Sequence, residues 1–262
     1  MSERHKAQVR AQFGPSAAAY VTSSGHADGP DLEQLLAWGR KRGAARVLDI
    51  ATGGGHTALA FSRFTPSVVA LDLTLPMLRA AREFTAAQAA GPEARPIRFV
   101  AGDVETLPFR AGTFGTVTCR IAAHHFPALL PALRQVARVL RAGGSLLVED
   151  IQGHDDEEAS AFILEVERRR DPSHVRAFRH LEWTAFLRAA GLTVIDEGSM
   201  SKVRAWDDWT RRSRMTPAAK AELEAYVLAA PARCREAFDF HIDGGRIVSF
   251  TDRMLLLRAD RD

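Results

Sequence analysis

Lysine and cysteine are both scarce in this chain. Lys6, Lys41, Lys202 and Lys220 are the only lysines, and arginine supplies the other 31 of 35 basic residues. Two cysteines, Cys119 and Cys234, cannot build a disulfide framework or a four-ligand zinc site. That usage fits a reducing, cytoplasmic setting. No apolar run approaches the roughly 18 residues of a membrane-spanning helix, so no span is expected. The stretch Met1–Arg10 carries positive charge but no apolar segment behind it, so it does not read as a secretory signal. Internal repeats and low-complexity tracts are also missing, which sets solenoids and disordered linkers aside.

What remains is ordinary globular material. A hydrophobic fraction of 46% and a charged fraction of 26% over 262 residues can bury one large α/β core, with or without a helical lid. The net charge of +3 is small. Two arginine runs stand out against it, Arg168-Arg169-Arg170 and Arg211-Arg212-Ser213-Arg214. They read either as a phosphate-binding patch for RNA or as solvated helix faces with acids nearby. Without a recognition motif, nucleic acid is not the expected partner.

Short β-branched runs alternate with longer amphipathic ones, the pattern of a mostly parallel sheet covered by helices. Strands are expected at Arg46–Ala51, Ser67–Asp72, Pro96–Ala101, Thr113–Ile121 and Ser145–Ile151. Helices are expected at Thr57–Phe64, behind Pro76, and at Leu130–Leu140. Beyond residue 152, helices are expected over Glu157–Arg170 and Glu182–Ala190, a sixth strand that starts over Leu192–Ile195, a helical insertion at about 206–238, and a last strand over Arg246–Arg258. Before the first strand one clear helix runs from Asp31 to Arg42, with Asp31 as its cap. The chain therefore reads as one domain: a cofactor-binding core at 43–151, a helical lid at 1–42, and a C-terminal half at 152–262. Segments flanking such a core usually cover the carboxyl ends of the strands, where ligands bind.

Asp49-Ile-Ala-Thr-Gly-Gly-Gly-His56 joins the first strand to its helix. Glycine there lets the backbone approach a ligand, beside the free N–H groups of a helix start. On its own this turn is ambiguous. Gly53-x-Gly55-x-x-Ala58 also fits a nicotinamide or flavin fingerprint, and Asp72 follows Gly53 by 19 residues, near the spacing of a ribose-binding acid. An NAD(P)-dependent oxidoreductase is thus one reading. The turn also reads as a simple tight corner, and Asp72 as a strand-end cap. Asp103, just past the third strand, separates the readings: its carboxylate suits an adenine amino group, with Val104 and Leu107 as apolar faces, and a dinucleotide domain needs no acid there.

With these residues the chain resembles the class I S-adenosylmethionine-dependent methyltransferases. The resemblance is carried by Val-Leu-Asp-Ile-Ala-Thr-Gly-Gly-Gly, Ala-Leu-Asp72, Gly-Asp103-Val, Cys-Arg-Ile-Ala-Ala-His-His-Phe126 and Val139-Leu-Arg-Ala-Gly-Gly-Ser-Leu-Leu-Val148. Within that class it is similar to the ubiquinone/menaquinone-biosynthesis-like, type 11 group, with Phe13-Gly-x-x-Ala-x-x-Tyr20 and Asp171-Pro-Ser-His174 as flanking similarities. The resemblance implies a Rossmann-like α/β sheet ordered 3-2-1-4-5-7-6, strand seven antiparallel, and S-adenosyl-L-methionine as the methyl donor. Its donor site would comprise Tyr20, Ala51, Thr52, Gly53, Gly55, Asp72, Leu73, Met77, Gly102, Asp103, Val104 and Arg120. The family usually has glycine where Ala51 stands, a change that leaves the loop intact if the φ of Ala51 is negative.

For the chemistry, His125 is the first candidate for a substrate-side base and His124 the second, because imidazole titrates near neutral pH. Either histidine also reads as a hydrogen-bonded strand-end residue. His26 and His174 are candidate substrate contacts from the lids. Arg120 either pairs with the donor's carboxylate or bridges to Glu149 or Asp150. No Asn/Asp-Pro-Pro-Tyr/Phe follows the fourth strand and no Pro-Cys pair exists, so adenine N6, glutamine amides and pyrimidine rings are not the expected acceptors. A small molecule is expected. The four tryptophans, Trp38, Trp183, Trp206 and Trp209, either pack helices or line an apolar acceptor pocket. Oligomeric state is not readable, and a homodimer stays open.

Overall fold

The computed structural model describes residues 3–21, 29–41, 43, 45–88 and 95–262. Five runs form parallel strands: β1 (Val47–Ile50), β2 (Val68–Asp72), β3 (Ile97–Ala101), β4 (Phe114–Arg120) and β5 (Leu140–Ile151). Three more follow: β6 (Leu192–Ala205), β7 (His241–Asp243) and β8 (Arg246–Arg261). The sheet order is β3-β2-β1-β4-β5-β8-β6, with β7 a hairpin partner of β8. β8 runs antiparallel to both β5 and β6. This is the expected order. The short hairpin strand β7 is what makes the expected seventh strand the eighth here.

Every residue of β1 and β2 is buried, as central parallel strands covered on both faces require. Val47 pairs with Val68 on one side and Thr116 on the other. Because successive side chains point to opposite faces, β1 feeds two cores. Leu48 and Ile50 pack with Val117, Val148 and Leu133. Val47 packs with Leu35, Trp38 and Phe61. A third cluster joins Phe162, Val166, Trp206, Trp209 and Phe250.

The N-terminal segment holds more helix than expected: α1 (Glu3–Phe13), α2 (Ala17–Val21) and α3 (Pro30–Lys41). Pro30 opens α3, where its missing N–H costs nothing. Asp31 therefore lies inside the helix rather than capping it, and its buried carboxylate pairs with Arg120 and Lys202. The core helices are α4 (His56–Ser62), α5 (Leu75–Gln88) and α6 (Leu129–Val139). The C-terminal half adds α7 (Glu157–Arg170), capped by Asp156 accepting the Ala159 N–H at 2.8 Å, and α8 (His180–Ala189). The insertion is three helices, α9 (Trp206–Arg212), α10 (Pro217–Ala229) and α11 (Ala232–Glu236). β6, expected to start over Leu192–Ile195, runs on to Ala205, which brings Lys202 and Arg204 onto the sheet. Among the described residues no helix is long and apolar enough to cross a membrane.

All five parallel strands point the same way, so their carboxyl ends deliver Ala51, Leu73, Gly102 and Ile121 to one edge of the sheet. The N-terminal helices and the C-terminal half meet over that edge.

Candidate active site

The edge opens into a cleft lined by the strand ends, the N-terminal helices and the C-terminal half. Its floor is the glycine turn. Asp49 holds the turn from below: it is buried and accepts hydrogen bonds from Thr52 and Thr118 Oγ1, each at 2.6 Å. Burial pushes its pKa up to about 6 against those two bonds. Asp72 holds the turn from the side. Its Oδ2 accepts the Gly53 N–H at 3.0 Å and its Oδ1 accepts the Thr74 N–H at 2.8 Å. Burial raises its pKa too, with the backbone bonds pulling the other way.

Two expectations about this turn are corrected. Ala51 has φ 50°, so it sits in the left-handed region although it carries a Cβ. That conformation costs an L-residue about 1–2 kcal/mol, which explains the preference for glycine there. Ala51→Gly is expected to raise Tm by up to about 3 °C, part of the relief being offset by the greater freedom of an unfolded glycine. A thermal melt showing a fall in Tm would contradict the strain. Gly55 does not line the cleft; at φ 84° it starts α4 and packs against Ala81 and Thr85. Gly54 lines it instead, and a Cβ there would lie 3.1 Å from the Tyr20 carbonyl oxygen. A run of three identical residues cannot show which of them faces the ligand.

Beyond Asp72, Leu73 and Met77 form one wall and Gly102, Asp103 and Val104 another. Asp103 Oδ1 accepts the Glu105 N–H at 2.9 Å, and Lys6 Nζ of α1 lies 2.9 Å from Oδ2. Each carboxylate oxygen has two acceptor directions, so an adenine amino group can bond alongside them. Phe13 and Tyr20, ring centroids 5.4 Å apart, close the cleft from the N-terminal side, and His56 Nε2–H donates to the Tyr20 carbonyl at 3.2 Å.

At the end of β4, Arg120 lines the cleft but is gripped from behind by Asp31 and by Glu149, the latter at 2.6 Å from its Nε. The bridge to Glu149, one of its two expected roles, is therefore present. Burial lifts Glu149 to about 7, opposed by the Arg120 charge. Ile121, next in the chain, has φ 52°. For a β-branched residue this is an outlier, of the kind that clusters at functional sites.

The two histidines that follow differ sharply. His124 donates Nδ1–H to Asp150 Oδ1 at 2.6 Å, while Asp150 Oδ2 accepts the His124 backbone N–H at 3.0 Å. Burial disfavours the charged ring, but the carboxylates around it, Asp150 first and then Glu167 and Asp171, raise the pKa of His124. His125 donates Nδ1–H to the Ser173 carbonyl at 3.0 Å, and burial together with His124 pushes it down to about 4. Both rings line the cleft. His174 does not; it is buried behind them, stacked on His124 with centroids 5.0 Å apart. His26 lies outside the described residues.

The far end of the cleft is walled by residues that sequence reasoning did not assign: Glu167, Arg170, Asp171, Arg204, Arg212 and Asp252. Trp209 lines it too, while also packing on Phe250 with centroids 4.8 Å apart, so helix packing, one of its two expected roles, is present. The other three tryptophans are core residues. Cys119 and Cys234 are buried free thiols.

The antiparallel β8 between β5 and β6 departs from the 3-2-1-4-5-6 sheet of dinucleotide-binding proteins, so the fold lends the nicotinamide reading no support. Comparison with known proteins agrees. A family described as "Methyltransferase domain" matches residues 48–148. The uncharacterized methyltransferase YcgJ of Bacillus subtilis (strain 168) is 34% identical over 94% of this chain and 96% of its own length. A Bacillus halodurans C-125 protein assigned as a methyltransferase superposes with a TM-score of 0.83 at 36% identity, covering 89% of this chain and 99% of that one. The ubiquinone/menaquinone biosynthesis C-methyltransferase UbiE of Dinoroseobacter shibae is 36% identical over 44% of this chain and 46% of its own. The chain belongs to the S-adenosylmethionine-dependent methyltransferase family of enzymes.

Proposed function

We propose that this chain binds S-adenosylmethionine along the carboxyl ends of β1, β2 and β3 and transfers its methyl group to a small-molecule acceptor held beside His124. One observation carries the reading: Asp72 and Asp103, on successive strand ends, line the same cleft as the glycine turn, and that cleft runs on to a carboxylate-backed imidazole. Asp72 offers oxygens to a ribose diol, Asp103 offers one to an adenine amino group, and Leu73, Met77 and Val104 supply the apolar walls. Those donor and acceptor types fit an adenosine.

When bound, the donor supplies an electrophilic methyl on a sulfonium. The chain aligns the acceptor and excludes water, effects worth about 7–11 kcal/mol for well-oriented groups. With Nδ1–H committed to Asp150, His124 keeps Nε2 as a proton acceptor for a nucleophile that arrives protonated. The N-terminal helices act as a lid, with Phe13 and Tyr20 on its inner face.

Isothermal titration of the purified protein with S-adenosylmethionine and with S-adenosylhomocysteine tests the reading. Micromolar binding of either is the expected outcome. No heat of binding for either at about 1 mM, the weak end of specific recognition, refutes it.

A further inference from the structure

The far end of the cleft is balanced in charge. Arg204 donates Nε–H to Asp252 at 2.6 Å, and Arg212 pairs with Asp208 at 3.2 Å. Arg170 faces Asp171 and Glu167, lies 4.5 Å from the Trp209 ring centre and donates Nε–H to the Trp209 carbonyl at 3.0 Å. Asp171 in turn accepts the Ser173 N–H at 2.9 Å and the Ser173 Oγ–H at 2.6 Å. Each arginine meets a carboxylate, so this wall calls for neither an anion nor a cation.

Glu167 stands apart from its neighbours. It follows Val166 on the buried side of α7, is 3% exposed and lines the cleft. Its Oε1 is buried and has no hydrogen-bond partner among the described residues. Its Oε2 stays 3.7 Å from both Arg170 Nη1 and His174 Nδ1, too far for good hydrogen bonds. Burial pushes the carboxyl up to about 7, against the charge of Arg170. A ligand that fills the cleft shuts water away from Oε1. It must then donate to that oxygen itself or leave a buried acceptor unanswered, which is costly. Phe13, Phe126, Ile151 and Trp209, in the same cleft, offer apolar surface to the rest of such a molecule.

We propose that Glu167 determines which acceptor is taken: an uncharged small molecule with an apolar body, whose hydroxyl or amide N–H donates to Glu167 Oε1. A site built around a substrate's donor group rejects the analogue that lacks it far more strongly than an apolar pocket rejects a misfit. Glu167 selects and holds the acceptor, while His124 keeps the proton chemistry. The assignment rests on the proposed methyl transfer for the name acceptor, but its binding chemistry is measurable alone.

The protein, with and without saturating S-adenosylhomocysteine, is titrated calorimetrically with benzyl alcohol, benzyl methyl ether, benzylamine and benzoate. Benzyl alcohol is expected to bind about tenfold or more tighter than the ether, which covers Oε1 without donating to it. The ammonium and the carboxylate are both expected to bind more weakly than the alcohol. Glu167→Leu is expected to bring the alcohol-to-ether ratio to within about twofold of unity and to keep S-adenosylhomocysteine affinity within about twofold. Glu167→Gln, nearly the same shape, is expected to shrink the ratio about threefold or more, because a neutral acceptor holds a hydroxyl less strongly. General damage to the cleft weakens both probes alike, so the ratio separates recognition from a purely structural role. The proposal is overturned if benzyl alcohol does not bind, if the ether binds as well, if benzylamine or benzoate binds best, or if either variant keeps the wild-type ratio. Alcohol selection that depends on Glu167 in a protein that ignores S-adenosylhomocysteine would leave this recognition standing and remove the methyltransferase reading instead.

Discussion

Asp72→Ala is expected to weaken S-adenosylhomocysteine binding by at least tenfold and to lower Tm. Two losses combine. A carboxylate receiving hydrogen bonds from a ribose diol contributes on the order of 1.5–3 kcal/mol, about 10- to 150-fold in affinity. The same carboxylate accepts the Gly53 and Thr74 N–H groups, so its removal also frees the glycine turn from the end of β2. Those donors then lie in a largely buried place with no partner, at about 1–3 kcal/mol for each one that water cannot reach. Asp72→Asn separates the terms. An amide can keep one backbone bond through its oxygen, but its NH₂ faces the other donor and cannot accept from the ribose. Its Tm loss should therefore be smaller than that of alanine, while its affinity loss stays above tenfold. Wild-type affinity in both variants, read by calorimetry, would count directly against the donor site.

Asp72 and Asp103 were legible because a strand end is marked by local pattern: a β-branched run, an acid, then a turn. Their neighbours on the sheet follow from the parallel order. The far end of the cleft was not legible for the same kind of reason. Arg170 carries a signal, being an arginine four residues beyond Val166 on a stripe that is otherwise apolar, but one charged residue in a run of three gives no cause to prefer it. Arg204 falls on the inward phase of β6 with Met200 and Lys202. That phase exists only if the strand passes Ile195, and the polar stretch Asp196-Glu-Gly-Ser199 hides the continuation. Ala51 shows another limit. Its left-handed backbone is imposed by the turn between β1 and α4, with no sign in the residue itself.

The difference between His124 and His125 is also tertiary, since Asp150 reaches His124 from the end of β5, and under the proposed mechanism it puts His124 ahead of His125, the first candidate from sequence. His124→Gln is expected to lower methyl transfer by about 10²–10⁴-fold, the usual contribution of a general base, with donor affinity kept within about threefold. His125→Ala is expected to cost about tenfold or less, because an imidazole pushed down to about 4 is a weak proton acceptor near neutral pH. Turnover needs an acceptor, but the physical basis can be read without one. In a histidine-ring NMR titration His124 should protonate above the ordinary 6.5, since the carboxylates around it, Asp150 first, overcome the burial penalty. Asp150→Asn removes the first of these and leaves the burial, so the titration should move down. The neutral ring is the active form, so the acid limb of the rate profile should move to lower pH in the same variant, with a lower plateau from the weaker base. A His124 ring that titrates below 6.5 in the wild type, or a His124→Gln enzyme at full rate, would leave proximity and orientation alone to account for catalysis.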